Sequence, residues 1–147
     1  MIKETLTAAK EALKSIPSLR YTAEDWGQLD SFNQPPVRFP CVLLDVEEIR
    51  YSDNGRGSQQ GEASLTVRVA DNRAVNGSFQ APPSTSEFAM FDLLQAVYKA
   101  LQGLSGPGFS PLTRRHTVRV RREDGIREFR TSFDFAFTDN DAAAKRR

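Results

Sequence analysis

The chain has 147 residues and sets 20 Lys and Arg against 19 Asp and Glu, for a formal net charge of +1. That near balance excludes a molecule that holds nucleic acid or anionic membrane through its overall charge. Apolar residues make up 39% and charged residues 27%, a globular composition at the length of one domain, with enough chain to bury a core without staples.

The first sixteen residues, MIKETLTAAKEALKSI, place Ile2, Leu6, Ala9, Leu13 and Ile16 three or four apart. This spacing predicts an amphipathic helix with Lys3, Lys10 and Lys14 off the apolar stripe. Glu4 and Glu11 interrupt any continuous apolar run, so the segment reads as neither a signal peptide nor a membrane span, and a cytosolic protein is expected. Pro17 ends the helix. Residues 18–40 are punctuated by Gly27, Pro35, Pro36 and Pro40 and read as irregular. Tyr21, Trp26, Leu29 and Phe32 make that segment a packed arm rather than a linker.

Cys41 to Tyr51 reads as one strand, apolar on both faces in its first half, as in a covered sheet. Cys41 is the single cysteine and can form no internal disulfide, which fits a reducing compartment or simply a fold that needs no bridge. Ser52 to Gly61 contains Asn54-Gly55 and two further glycines and reads as a long hairpin loop. The next segment, GEASLTVRVADN, alternates. Ala63, Leu65, Val67 and Val69 share one face, and Ser64, Thr66 and Arg68 the other, the pattern of a half-buried strand.

Residues 72–85 are polar, contain Pro82-Pro83 and read as a loop. Ser84 and Glu87 match a capping box. The helix it opens runs to about Gln102, with Phe88, Phe91, Leu94, Val97, Tyr98 and Leu101 as its apolar face, and Gly103 suits the left-handed position beyond its end. Arg114 to Arg122 and Ile126 to Thr138 alternate around Asp124-Gly125, a two-residue turn signal. The predicted order is α-β-β-α-β-β: an α+β domain over residues 1–139, with an antiparallel four-stranded sheet and two helices packed on one face. Residues 140–147, NDAAAKRR, read as a flexible tail.

Residues that would carry chemistry do not assemble in the sequence. His116 is the sole histidine, and a catalytic or metal role would need a neighbouring ligand or nucleophile. DNGRGSQQG lacks the Lys-Ser/Thr of a phosphate loop and joins two strands, and GLSGPG follows a helix rather than a strand. Asp45 and Glu47 share a strand face near Glu48, where a solvated surface outweighs an acid pair. The reading is of no catalytic residue, no metal and no cofactor.

The basic stretch RRHTVRVRR needs an account of its charge. A two-residue Asp124-Gly125 turn would oppose Val120 to Phe129 and His116 to Phe133 on one face. On the other it would oppose Arg121 to Glu128, Arg115 to Asp134, and Arg119 to Arg130. Opposite charges across strands contribute about 0.2–1 kcal/mol each and like charges cost as much. Arg119 and Arg130 therefore stand out as a positive spot, read either as a site for an acidic partner or a phosphate or as an exposed pair splayed into solvent.

Several stretches together carry a family likeness: GQLDSFNQPPVRFPCVLLDV, GEASLTVRVADN, FDLLQAVYKALQGLSGPGFSPLTRR and DGIREFRTSFDFAFTD. Over roughly residues 2–139 the chain resembles small tail-completion proteins, the tail-terminator class of long-tailed phages and prophages, in its Bacteroidetes-type versions. The resemblance implies a ring, usually hexameric, of copies of this chain. Such a ring caps the tail tube, stops its polymerisation and meets the head–tail connector, in a virion, a gene-transfer agent or an injection device. It implies residence in the bacterial cytoplasm during assembly and then in the virion tail, no membrane partner, and nucleic acid only by passage through the ring. The class has no residue motif to transfer. The candidate interface is read from the residues instead: Asn54 and Arg56 in one long loop, Arg73 in the other, and Arg119 with Arg130. The alternative is a small nucleic-acid-binding module built on the basic hairpin, weakened by the balanced charge and by the use of the Phe129–Phe137 stripe as core.

Overall fold

The structure, a computed structural model, describes residues 1–73, 78–80 and 88–143. The first apolar stripe becomes helix α1 (Ile2–Leu13), with Ala9, Leu13 and the following Ile16 buried. Six strands follow: β1 (Tyr21–Glu24), β2 (Cys41–Asp45), β3 (Ile49–Gly55), β4 (Ser58–Asp71), β5 (Thr113–Val120) and β6 (Arg127–Asp139). Helix α2 (Ala89–Leu101) lies between β4 and β5. The strands form one sheet in the order β1-β2-β4-β6-β5, with β3 also paired to β4.

This corrects the expected four-stranded antiparallel sheet; the α+β class holds. The first difference is β1, which runs parallel to β2 from Tyr21 opposite Cys41 to Glu24 opposite Leu44. A parallel pair needs a long crossover, and residues 25–40 supply it. The prolines that make this segment look irregular belong to the crossover, not to the strand before it. The second difference is the division of the Cys41–Tyr51 run into β2 and β3. Strand β4 has 14 residues, and its two halves serve different partners: Ser58 to Ala63 pairs with β3, and Thr66 to Ala70 with β2.

The expected 52–61 loop is therefore mostly strand. Gly55 pairs with Ser58, leaving Arg56 and Gly57 as a two-residue turn. Their φ angles of +56° and +78° have the sign of the mirror-image turns that match strand twist. Further along β4, a side chain at Gly61 would run into the Phe137 ring opposite it on β6, so the ring takes the place of the missing side chain.

Both helices lie on one face, as the sequence implies. There they cover Val42, Leu44, Leu65, Val67, Val69 and the Phe129, Phe133, Phe135 and Phe137 stripe. Helix α2 is rotated from its expected orientation. Its buried stripe is Met90, Leu93, Val97 and Leu101, while Phe88 and Phe91 are exposed. Gly103 takes φ +77°, as a residue beyond a helix end does. The Ser84–Glu87 capping box lies outside the described residues. The second face carries a smaller core, in which Leu29 and Ile126 close over Cys41, Leu43 and Ala70, flanked by Val37 and Phe39. The arm over residues 25–40 is thus a second layer on half of the sheet. Burying Leu29 there contributes roughly 1.5–3 kcal/mol.

The C-terminal hairpin is the third correction. Val120 faces Glu128, Arg119 faces Phe129, Val118 faces Arg130 and His116 faces Ser132, one residue off the expected register. Residues 121–126 form a loop in place of the two-residue turn. Arg122 leaves the strand to reach the Leu29 carbonyl oxygen and the carboxylates of Asp30, Asp124 and Glu128, which a tight turn would prevent. Since strand side chains alternate, a one-residue slip exchanges the faces.

Candidate functional site

On the arm-covered face the charges are concentrated around Arg68, which projects from the middle of β4. Its Nε and Nη2 donate to the two oxygens of Glu128 at 2.8 and 2.9 Å. Its Nη1 donates to Asp25 at 2.9 Å and to Asp30 at 3.0 Å, and Nη2 donates again to Asp30 at 3.1 Å. Arg122 enters from the β5–β6 loop, donating to Asp30 at 2.9 Å and to Glu128 at 2.8 Å, and Arg130 donates to Glu128 at 2.7 Å. With Asp124, three guanidiniums meet four carboxylates.

Burial alone would push the Glu128 carboxyl up, but hydrogen bonds from Arg68 and Arg130 override it and hold the pKa below the ordinary carboxylate value. The Arg68 hydrogen bonds lower Asp30 likewise, and Arg122 lowers Asp124. Desolvation opposes the Arg68 charge, and its bonds to Glu128 and Asp30 more than restore it. Every Arg68 nitrogen is spent on protein acceptors. No buried side-chain nitrogen or oxygen among the described residues is left without a partner. The cluster is therefore a clamp: Asp25 and Asp30 come from the arm, the other members from the sheet and its last loop.

The other half of this face is open. A shallow polar depression of about 650 Å³ lies over the start of β4 and the end of β6, lined by Glu47, Glu48, Arg50, Glu62, Arg115 and Asp134 among others. Asp134 accepts from Ser64 at 2.7 Å and from Arg115 at 2.8 Å. Desolvation would raise its pKa, and these two bonds hold it down. The Arg115–Asp134 pair read from the sequence thus forms although Asp134 sits opposite Thr113, because a β-bulge between Arg114 and His116 redirects the side chain. Among the described residues no three His, Cys, Asp or Glu side chains are arranged to hold a metal ion. Cys41 is buried, and burial pushes its thiol up to about 12, far from a reactive thiolate. His116 is exposed on β5.

The proposed interface residues are scattered over the molecule. Asn54 and Arg56 sit at and beside the β3–β4 turn, both exposed. Arg73, just after β4, pairs with Asp71 at 2.7 Å. Arg119 and Arg130 do not face each other. Arg119 lies opposite Phe129 on the helix-bearing face, its guanidinium carbon 5.9 Å from that ring centre, while Arg130 points to the arm-bearing face and is tied to Glu128. The positive spot expected from their pairing does not form.

Sequence reasoning missed the Arg68 cluster. Its signal was one arginine on the same strand face as Ala70, in a run that otherwise loses its polar residues towards its end, with Asp25 and Asp30 in an arm full of large apolar residues. Two sheet edges also escaped notice. Among the described residues β3 pairs as a strand only with β4 and β5 only with β6, and at the start of β5 the Arg114 backbone N–H donates to the Gln102 side chain at 2.8 Å. Beside the β5 edge the exposed Phe91 packs against Phe129 at 5.6 Å between ring centres. On β3, Tyr51 is half exposed against Phe137 at 6.1 Å.

No protein-family model matches the sequence, and no curated protein matches it either. Solved structures do match in shape. One is a chain of the virion of a native gene transfer agent particle, with a TM-score of 0.57 at 12% identity, covering 91% of this chain and 94% of that one. The two share a fold from end to end. None of the described helices is long and apolar enough to cross a membrane.

Proposed function

We propose that this chain is a structural subunit of a phage or phage-like tail: a ring-forming terminator that caps the tail tube, ends its polymerisation and joins it to the head connector. The observation that carries the reading is the mutual coverage of 91% and 94% between this chain and a chain of a gene transfer agent virion. The arrangement of charge fits as well. The densest cluster of ionisable groups is consumed in holding the arm to the sheet, and of the candidate interface residues Asn54 and Arg56 lie at a hairpin tip and Arg119 on an edge strand. Such a subunit needs surfaces that meet copies of itself, the tail tube protein and the connector, and it needs no turnover. It would be made in the host cytoplasm and carried in the finished particle.

The nucleic-acid alternative loses its anchor, because Arg119 and Arg130 occupy opposite faces and Arg130 is neutralised by Glu128. The test of the main reading is the composition of purified particles. Peptides of this chain should be found in tail-bearing particles at a few copies each, with label bound at the head-proximal end of the tail. Particles that lack the chain altogether would overturn the reading.

A further inference from the structure

Among the described residues the sheet has two long edges without a strand partner, and their polarity, charge and flanking side chains suit each other. From β3 to β5 the chain passes through three antiparallel pairings, β3 with β4, β4 with β6 and β6 with β5. An odd number of reversals makes β3 and β5 antiparallel to one another. Rotation about a ring axis preserves strand direction and keeps the same sheet face outward. The β5 edge of one copy would therefore meet the β3 edge of the next in antiparallel sense, with the helix-bearing faces aligned.

The charges are complementary. Arg114, Arg115, Arg119 and Arg121 lie on or just after β5, with no acid before Glu123; Arg115 is already paired to Asp134, and Arg122 is turned into the buried clamp and adds nothing to the edge. On the β3 side stand Asp45, Glu47, Glu48 and Asp53, against Arg50, already paired to Glu48 at 3.1 Å, and Arg56 in the turn just after the strand. The other outer strand, β1, is a poorer partner. It has four residues, and the groove beside it is lined by Lys3 and Lys10 from α1, which would repel the basic β5 edge. Aromatic groups add a second match. Tyr51 is level with Gly61 and Phe137, and Phe91 packs on Phe129, so both half-exposed rings lie on the helix-bearing face, one beside each edge.

We propose that β5 of one copy pairs antiparallel with β3 of the next, continuing the sheet around a closed ring. This rests on the ring reading above and names the contact that would build it. The contact is head-to-tail, with one surface meeting a different surface, as rings require. The two edges are staggered. Strand β3 lies level with the Phe135–Asp139 end of β6, and β5 with Glu128–Asp134. Continuing the sheet across that stagger tilts the strands relative to the ring axis, as closure of a sheet into a barrel demands. Such pairing also covers edges that would otherwise template aggregation.

The test uses three full-length variants: Arg119→Glu with Arg121→Glu, Glu47→Lys with Asp53→Lys, and all four together. All four side chains are exposed, and circular dichroism confirms folding of each variant. Oligomer mass is read by native mass spectrometry and negative-stain microscopy, with and without purified tail tubes of the same particle. The expected result is rings from the wild type, at least a tenfold loss of rings in each two-residue variant, and recovery in the four-residue variant, whose seam is again complementary. Rings in every variant would overturn the edge contact while leaving the ring itself standing. Loss in the two-residue variants without recovery in the third would also overturn the pairing. A wild type that forms no ring even on tubes would overturn both readings.

Discussion

Arg68 and Glu128 come from neighbouring strands and meet in a two-point contact, Nε to Oε2 at 2.8 Å and Nη2 to Oε1 at 2.9 Å, with 4% and 0% of their surfaces exposed. Removing one member of a buried ion pair leaves the other without compensation, at a typical cost of about 3–5 kcal/mol. Because Arg122 and Arg130 still serve Glu128, Arg68→Met should fall near the lower end, about 3 kcal/mol. Urea titration of the variant checks this. A loss under about 1 kcal/mol would mean the arm is held by Leu29 and its apolar neighbours alone.

The same cluster sets the acid limb of stability. Glu128 has a folded pKa below its ordinary 4.5, and Asp30 and Asp124 lie below their ordinary 3.8. Carboxylates with depressed folded values stabilise the fold fully above the unfolded values, and the contribution is lost as pH falls through the folded ones. Unfolding midpoints should therefore hold from about pH 7 to about pH 5 and fall steeply below about pH 4. Glu128→Gln should start lower at neutral pH and show a flatter acid limb; an unchanged limb would assign the acid sensitivity to other carboxylates.

How much of this was legible from residue order depends on what each residue reports. The stripe Ile2, Leu6, Ala9, Leu13 and the apolar face of β4 report burial directly, whereas the half-buried reading of β4 fails from Val67 to Asp71, where the arm covers Arg68 and Ala70 as well. Strand β1 was hidden because four residues carry too short a period to see, and its pairing with β2 is decided by a crossover sixteen residues long. The hairpin register failed for a different reason. Asp124-Gly125 is a sound local turn signal, but Arg122 gains more from Asp30, Glu128 and the Leu29 carbonyl than a tight turn would return. Those partners lie about ninety positions away in the chain for Asp30 and Leu29, beyond any local rule.

The corrected register separates two arginines that sequence pairing treated alike. Arg119→Glu changes an exposed side chain and should move stability by no more than about 0.5 kcal/mol. Arg130→Glu removes a 2.7 Å partner of the buried Glu128 and sets a like charge beside it, so its loss should exceed about 1 kcal/mol. Equal effects in thermal melts would argue for the register in which the two face each other.

The β3–β4 hairpin depends on Gly61, where any side chain would press on the Phe137 ring, itself 4% exposed and held by Tyr51 and Phe135. Forcing extra carbons into such a place costs roughly 1–3 kcal/mol. Gly61→Val should lose that much, and the loss should shrink when combined with Phe137→Leu. Additive losses would show that the ring does not cover this glycine.

The most direct test of the terminator role is the length of tail tubes made without the protein. Deleting its gene from a particle-producing strain and measuring tubes by electron microscopy should give tubes of uncontrolled length with no heads attached, and supplying the protein in trans should restore both. Tubes of normal, uniform length joined to heads in the deletion strain would contradict the account.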